Sequence, residues 1–346
     1  MFTTSPELDE LASIASKPAL VFEAQPNQAL VLQSLAYLES TEALESINVD
    51  AYWPKWSGPW WQMMLLFEMG LASRIPPAVI DKIVAALNQD YLRFFPFREQ
   101  EVPAGRDPVL HVACHCQLGT IYQLLAACGL DVDERLPWIR PWFLQYQMKD
   151  GGLNCDEAAY IRAVPKSSVV STLPPLEAVL YFTANDFEIE EIEFLDRGAS
   201  YLIQKSLFRA SSTGKPIDQE WLKLCFPRFY HYDLLRGLSF VLRWSRRLKR
   251  TLPIHAISEA VHIIDRNFPD GAVAVQRSAW RGASSRGFDL ATGSWSKSAA
   301  ASYPLLDQVS RPGTLSPFLS QIWSDTRQEL SAVIEAGLIL PAEAKA

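Results

Sequence analysis

The chain has 346 residues, 49% hydrophobic, 21% charged and 11% aromatic, which is ample material for a folded core and excludes a disordered composition. A net charge of −7 excludes a generally basic surface, so nucleic acid is not an expected partner. No apolar stretch approaches the roughly 18–20 residues that span a bilayer, so no transmembrane segment is expected.

In chain order, residues 1–26 read as an N-terminal arm with some helix. Residues 27–44 carry Leu30, Leu32, Leu35, Ala36 and Leu38 at helical spacing. A Trp- and Pro-rich loop, 52–59, leads into 60–71, apolar nearly all round and therefore a buried helix. Residues 78–91 are amphipathic, and 94–108 form a Pro-rich loop. A second apolar helix is predicted over 109–128 and a helix over 138–148. Asp150-Gly151-Gly152 stops that helix, since glycine takes a left-handed backbone without steric cost. The next apolar helix is predicted over 173–182, with Ser171 and Thr172 as caps and Pro174 in the first turn. Residues 190–207 are amphipathic, 224–244 apolar with Pro227 near the start, and 254–268 amphipathic. Residues 272–314 read as irregular and 315–338 as a final helix. Strand signals are almost absent.

The chain therefore alternates amphipathic and apolar helices, which predicts an all-α fold with two helix layers, the apolar ones inside. Loops before the inner helices would gather at one end and line a cavity. An open helical solenoid is the alternative arrangement. The five cysteines, odd in number and without small-domain spacing, fit reduced thiols. The start lacks a basic and then apolar signal segment, and a cytoplasmic location is expected.

Gln147-x-x-x-Gly151-x-Leu153 resembles the Gln–Gly–Trp/Phe repeat of squalene–hopene cyclases and the Gly-Gly turn of protein prenyltransferase β subunits. Pro269-Asp270-Gly271 looks like a second copy. The chain is thus similar to the prenyltransferase and squalene-cyclase repeat superfamily over roughly residues 27–270. That resemblance implies a single-domain α/α toroid, with 271–346 closing it as an irregular segment and C-terminal helix. It also implies a central cavity for a small apolar substrate, and prenyl transfer or cyclisation. Prenyltransferase β subunits hold zinc with Asp-x-Cys before one inner helix and a His on the next. Here Cys155-Asp156 lies before one inner helix, adjacent and in the opposite order, and His231 lies on the next. Cys114-His115 resembles a zinc element of lanthionine-synthetase-like cyclases. The nearest match to the cyclase Asp-x-Asp-Asp acid is Asp131-Val-Asp133-Glu134, which reads more simply as a helix N-cap.

His111, Cys114 and His115 would share one helix face if 109–128 is helical throughout, with Cys116 pointing elsewhere. His111 and His115, with Cys155, make a candidate tetrahedral zinc site; core thiols and hydrogen-bonded imidazoles are the other reading. Asp156, His231 and Glu177 are candidate acid/base groups. Lys166 and Arg228 are candidates to hold an anionic group, with Tyr230 nearby, and Trp56 and Trp60 to line an apolar pocket or form plain core. Two other functional classes fit the pattern: a carbohydrate hydrolase or epimerase using Asp156, Glu177 and His231 with Trp56 stacked on a sugar, and a ring-shaped binding module without chemistry.

Overall fold

Proline punctuates this chain where its missing N–H costs nothing, in the first turn of helices. The computed structural model describes residues 5–18, 27–93, 95, 98–106, 113–184, 186–289 and 291–341. Such prolines open α1 (Pro6–Ala15), and, after α2 (Gln28–Glu39) and α3 (Thr41–Val49), also α4 (Pro59–Glu68) and α5 (Pro77–Gln89). Then come α6 (His115–Ala127), α7 (Val132–Arg135), α8 (Ile139–Gln145), α9 (Ala158–Ile161), α10 (Val169–Phe182) and α11 (Ile189–Ile203). The last helices are α12 (Leu234–Leu248), α13 (Ser258–Asn267), α14 (Pro304–Val309) and α15 (Pro317–Glu335). The fold is all-α in class. Among the described residues no helix is long and apolar enough to cross a membrane.

The two kinds of helix separate as their sequences require. Amphipathic α5 buries one stripe, Val79, Ile80, Ile83, Val84 and Leu87, and leaves the opposite face wet. Apolar α4 and α6 bury residues all round, among them Trp60, Trp61 and Met64, and Leu118, Ile121 and Leu125. Residues of α4, α6, α10, α12 and α15 line one cavity of about 300 Å³: Met64 and Glu68, Thr120, Glu177, Arg236 and Ile322. Helices α6 and α10 meet most closely at Gly119, where a Cβ would stand 2.4 Å from the Pro174 carbonyl carbon and the Pro175 nitrogen. Only glycine fits there, and the contact sets the spacing of the two helices that carry the site below.

Four boundaries differ from expectation. The helix predicted over 27–44 breaks at Ser40, which ends α2 in an extended conformation and caps α3 by accepting from the Ala43 N–H at 3.2 Å. Helix α10 starts earlier than predicted, with Ser168 as the cap accepting from Ser171. Helix α12 starts ten residues later than the predicted 224, because Asp233 is the N-cap and 224–233 form a loop with a cis Phe226-Pro227 bond. Within 272–314, expected to be irregular, β2 (Ser284–Asp289) and β3 (Ser294–Ala299) form an antiparallel hairpin with Phe288 opposite Trp295. Its strands are Ser-rich and largely exposed, so they carry no hydrophobic alternation. Short β1 (Leu252–Pro253) pairs with β4 (Ile339–Leu340) in parallel.

Candidate metal centre

Two loops, each leading into a buried apolar helix, meet where Cys116 touches Cys155. The first is the start of α6. Cys114 is its N-cap, extended at φ −104 and ψ 162, and its N–H reaches Gln117 Oε1 at 3.4 Å. Gln117 Nε2 donates to Tyr91 Oη at 3.0 Å. Tyr91 in turn hydrogen-bonds buried Asp50, which also accepts the Tyr52 and Trp53 N–H groups at 2.7 and 2.9 Å.

The second loop is the Gly-Gly turn. Gly151 has φ +91, and a Cβ there would sit 2.3 Å from the Arg197 carbonyl oxygen, so glycine is required twice over. Gln147 clasps the turn, its Nε2 donating to the carbonyls of Gly151 and of Phe194 on α11, both at 2.8 Å. Thr172 Oγ1 accepts from the Leu153 N–H at 2.8 Å, and Ser171 Oγ from the Cys155 N–H at 3.0 Å. The two side chains expected to cap α10 instead fasten this loop to it.

These supports bring three thiols together. Cys114 and Cys116 Sγ are 3.4 Å apart, Cys116 and Cys155 Sγ are 3.5 Å apart, and all three lie within 4.8 Å of one another. A tetrahedral zinc ion with Zn–S of about 2.3 Å separates its sulfurs by about 3.8 Å, so the trio has the spacing of a tris-thiolate site. The five cysteines are free thiols. Hydrogen bonding with Cys114 and Cys116 holds the Cys155 thiol well below the ordinary range, and hydrogen bonding with Cys114 and Cys155 holds Cys116 well above it. The Cys116 N–H also donates to Cys155 Sγ at 3.4 Å. Cys155 is the thiol that ionises first.

Of the residues the sequence put forward as ligands, Cys155 is in the trio, and His111 lies outside the described residues. His115 is corrected. It is fully buried, its Nδ1 accepts from the Trp142 indole N–H at 2.9 Å, and its Nε2 lies 3.0 Å from Tyr160 Oη. Tyr160 Oη donates to the Tyr146 carbonyl at 3.0 Å, which leaves its lone pairs for the Nε2–H. Both imidazole nitrogens are taken, and burial pushes the ring's pKa down to about 4, so it stays neutral. The helical-face argument that grouped residues 111, 114 and 115 fails at Cys114, because an N-cap is not helical. Extended backbone there turns Cys114 toward Cys116 instead.

The acid/base candidates separate. Asp156 is exposed and ion-paired with Arg162 at 2.9 Å. Glu177 is buried, its carboxylate held by Arg236 Nε at 2.9 and 3.1 Å and Nη2 at 2.6 Å, with Gln123 Nε2 at 3.3 Å. Three of these four bonds fall on Oε2 and one on Oε1, so the carboxylate joins α10 to α12 while it lines the cavity. His231 lies in the 224–233 loop, stacked on Tyr230 and Trp56 at centroid distances of 4.5 and 5.6 Å. Its Nε2 is buried without a hydrogen-bond partner, and burial pushes its pKa down to about 3.

The binding candidates separate too. Trp56 and Trp60, 2% and 1% exposed, are core, with Trp56 packed between Trp61, Phe229, Tyr230 and His231. Neither offers a face to a sugar. Lys166 lines a cavity with Ser168, Tyr201 and Lys205, away from the one that Arg228 lines. Arg228 lines the cavity shared by α4, α6, α10, α12 and α15, beside Glu68 at 3.6 Å from Nε to Oε2, and its buried Nε makes no hydrogen bond. Glu68 accepts the backbone N–H groups of Arg228 and Phe229 at 2.8 and 2.5 Å, which fixes the loop.

Sequence alone brings in Cys114 only through the likeness of Cys114-His115 to a zinc element, and it reads Cys116 as pointing elsewhere. The Cys-x-Cys spacing is the available signal for both. Burial lowers the pKa of half-buried Lys55, and the charges of the three thiols oppose that shift. No protein-family model matches the chain, nor does any curated protein or solved structure.

Proposed function

We propose that the chain is a zinc enzyme of the α/α-toroid class that transfers an isoprenoid or similarly apolar group from an anionic leaving group to a thiol. The observation that carries the reading is the tris-thiolate spacing of Cys114, Cys116 and Cys155. Among the described residues no fourth His, Cys, Asp or Glu joins that group, and three protein ligands with an open position are the pattern of catalytic rather than structural zinc. Bound there, the ion supplies an ionised sulfur nucleophile from a thiol ligand at neutral pH. The chain's own groups do the rest. Arg228, ion-paired with Glu68 at 3.6 Å, lines the cavity and would take an anionic leaving group there. Met64, Phe67, Phe182 and Phe229 give the same cavity apolar walls.

Two observations support the toroid. Five helices from along the chain line that one cavity. The Asp150-Gly151 and Asp270-Gly271 turns are alike: glycine φ is +91 and +82, each glycine N–H returns to the carbonyl three residues back at 2.9 Å, and each Asp Oδ1 accepts from the residue after the glycine. Cyclisation is the weaker branch, because Asp131 caps α7 by accepting from the Glu134 N–H, beyond the far end of α6 from Cys116. Five free thiols suit a reducing, cytoplasmic setting.

Elemental analysis of the purified protein tests the reading. The expected result is one zinc per chain, lost in Cys116→Ser, and zinc-dependent consumption of free thiol in the presence of prenyl diphosphates. A folded protein that takes up no zinc on titration refutes it.

A further inference from the structure

Three sulfurs within 4.8 Å of one another are also placed to react with one another. Cys116 Sγ stands between the other two, 3.4 Å from Cys114 Sγ and 3.5 Å from Cys155 Sγ. A disulfide holds its sulfurs about 2.05 Å apart, so either contact lacks about 1.5 Å of approach. The two contacts differ in what has to move. Joining Cys114 to Cys116 tightens the backbone around His115, whose ring is fixed by Trp142 at 2.9 Å and Tyr160 at 3.0 Å. Joining Cys116 to Cys155 links two loops 39 positions apart and leaves that backbone alone. Cys114 and Cys155 are half-buried, whereas Cys116 is 7% exposed. An oxidant from solution therefore meets an outer sulfur first, and Cys116 is the thiol behind it. The remaining cysteines have oxygen neighbours instead of sulfur: Cys128 the Ala72 carbonyl at 3.5 Å, Cys225 the Asp233 Oδ2 at 3.7 Å.

We propose that Cys155 is a site of peroxide oxidation, resolved by Cys116 into a disulfide that dismantles the tris-thiolate and releases its ion. Hydrogen peroxide is the oxidant. Its O–O bond breaks, one oxygen joins the Cys155 sulfur as a sulfenic acid, and the other leaves as water. The Cys116 sulfur then attacks the Cys155 sulfur. The S–O bond breaks as the S–S bond forms, and the departing hydroxyl takes the Cys116 proton as a second water. Two electrons pass from the sulfur pair to the peroxide. A small dithiol returns them by exchange, so the change is reversible. The bridge forms with or without a metal, and only the release of the ion rests on the metal-centre reading above. Zinc takes at least three protein ligands, and the bridge leaves Cys114 as the one sulfur of the trio still able to bind.

The test treats the full-length protein with a slight excess of hydrogen peroxide in two arms. In metal-free protein, non-reducing peptide mass spectrometry is expected to find Cys116 joined to Cys155, the five free thiols falling to three, and dithiothreitol restoring them. Half-buried Cys128, with no sulfur beside it, stays a thiol. Sulfinic acid on Cys155 without a bridge, or a Cys114–Cys116 bridge in its place, overturns the proposal. In the zinc-loaded arm a chromophoric chelator is expected to report zinc loss in step with the bridge, and dithiothreitol with added zinc to reload the protein. Zinc that stays bound after the bridge has formed, or that prevents it altogether, overturns the switch and leaves the metal centre standing. A protein that forms the bridge but takes up no zinc when reduced brings down the metal centre, and leaves the oxidation of Cys155 in place.

Discussion

Replacing Arg236 by Met separates a structural role for Glu177 from a catalytic one. Arg236 uses Nε and Nη2 on Glu177, and Nη1 on the carbonyls of Phe229 and His231, both at 2.9 Å. It therefore ties α10 to α12 and holds the loop that carries Arg228 and His231. Arg236 and Glu177 are 5% and 4% exposed, so neither charge finds water when its partner is lost. Removing one member of a buried pair costs about 3–5 kcal/mol, and each orphaned carbonyl adds on the order of 1 kcal/mol. Arg236→Met is thus expected to lower the unfolding free energy by about 5–7 kcal/mol, read by urea denaturation followed by circular dichroism. The double variant Glu177→Leu/Arg236→Met should recover much of the loss, because an apolar pair in place of an ionic one is often neutral. A cost below about 1 kcal/mol in the single variant, or a double variant that costs the sum of the two, would refute this account. Glu177→Gln that stays as stable as wild type but loses all activity would restore the acid/base role.

Asp50 gives stability a pH dependence. Burial raises its pKa from 3.8 to about 7, so the folded state disfavours the carboxylate. The sign follows: the penalty is absent below the unfolded pKa, grows between about pH 4 and 7, and is full above it. About three pKa units correspond to an upper bound of about 4 kcal/mol, so Asp50→Asn should gain on wild type steadily from pH 4 to 8 in thermal melts, and a pH-independent difference would contradict it. Gly119→Ala places a methyl 2.4 Å from backbone atoms of Pro174 and Pro175. Backbone cannot yield as a side chain does, so the loss should reach the upper part of the about 1–3 kcal/mol overpacking range, with zinc affinity falling as α6 and α10 part.

The sequence showed helices by their periodicity, and the inner and outer kinds by how much of each face is apolar. It located both loops of the site, because Gly-Gly and Cys-His-Cys stand out against apolar runs. It did not show the local backbone. One extended residue, Cys114, decides whether His115 or Cys116 faces Cys155, and an N-cap is set by the tertiary contact of Gln117 with Tyr91 as much as by propensity. Nor did it show the pairing of Glu177 with Arg236 across α10 and α12.

Thiol reactivity in metal-free protein is a final consequence. Cys155 is held low by its hydrogen bonds to Cys114 and Cys116, whereas burial pushes Cys128 up to about 11 and raises fully buried Cys225. Only the thiolate alkylates, so at neutral pH a half-buried Cys155 should react before an equally half-buried Cys128. The two differ in charge environment more than in access, since Cys128 Sγ has only the Ala72 carbonyl at 3.5 Å to donate to. Limited iodoacetamide treatment followed by peptide mass spectrometry reads the order directly, and zinc should protect Cys114, Cys116 and Cys155 together without touching Cys128. If Cys128 is modified first, or zinc protects all five cysteines alike, the three sulfurs do not act as one unit, and the spacing that defines the site has no chemical consequence.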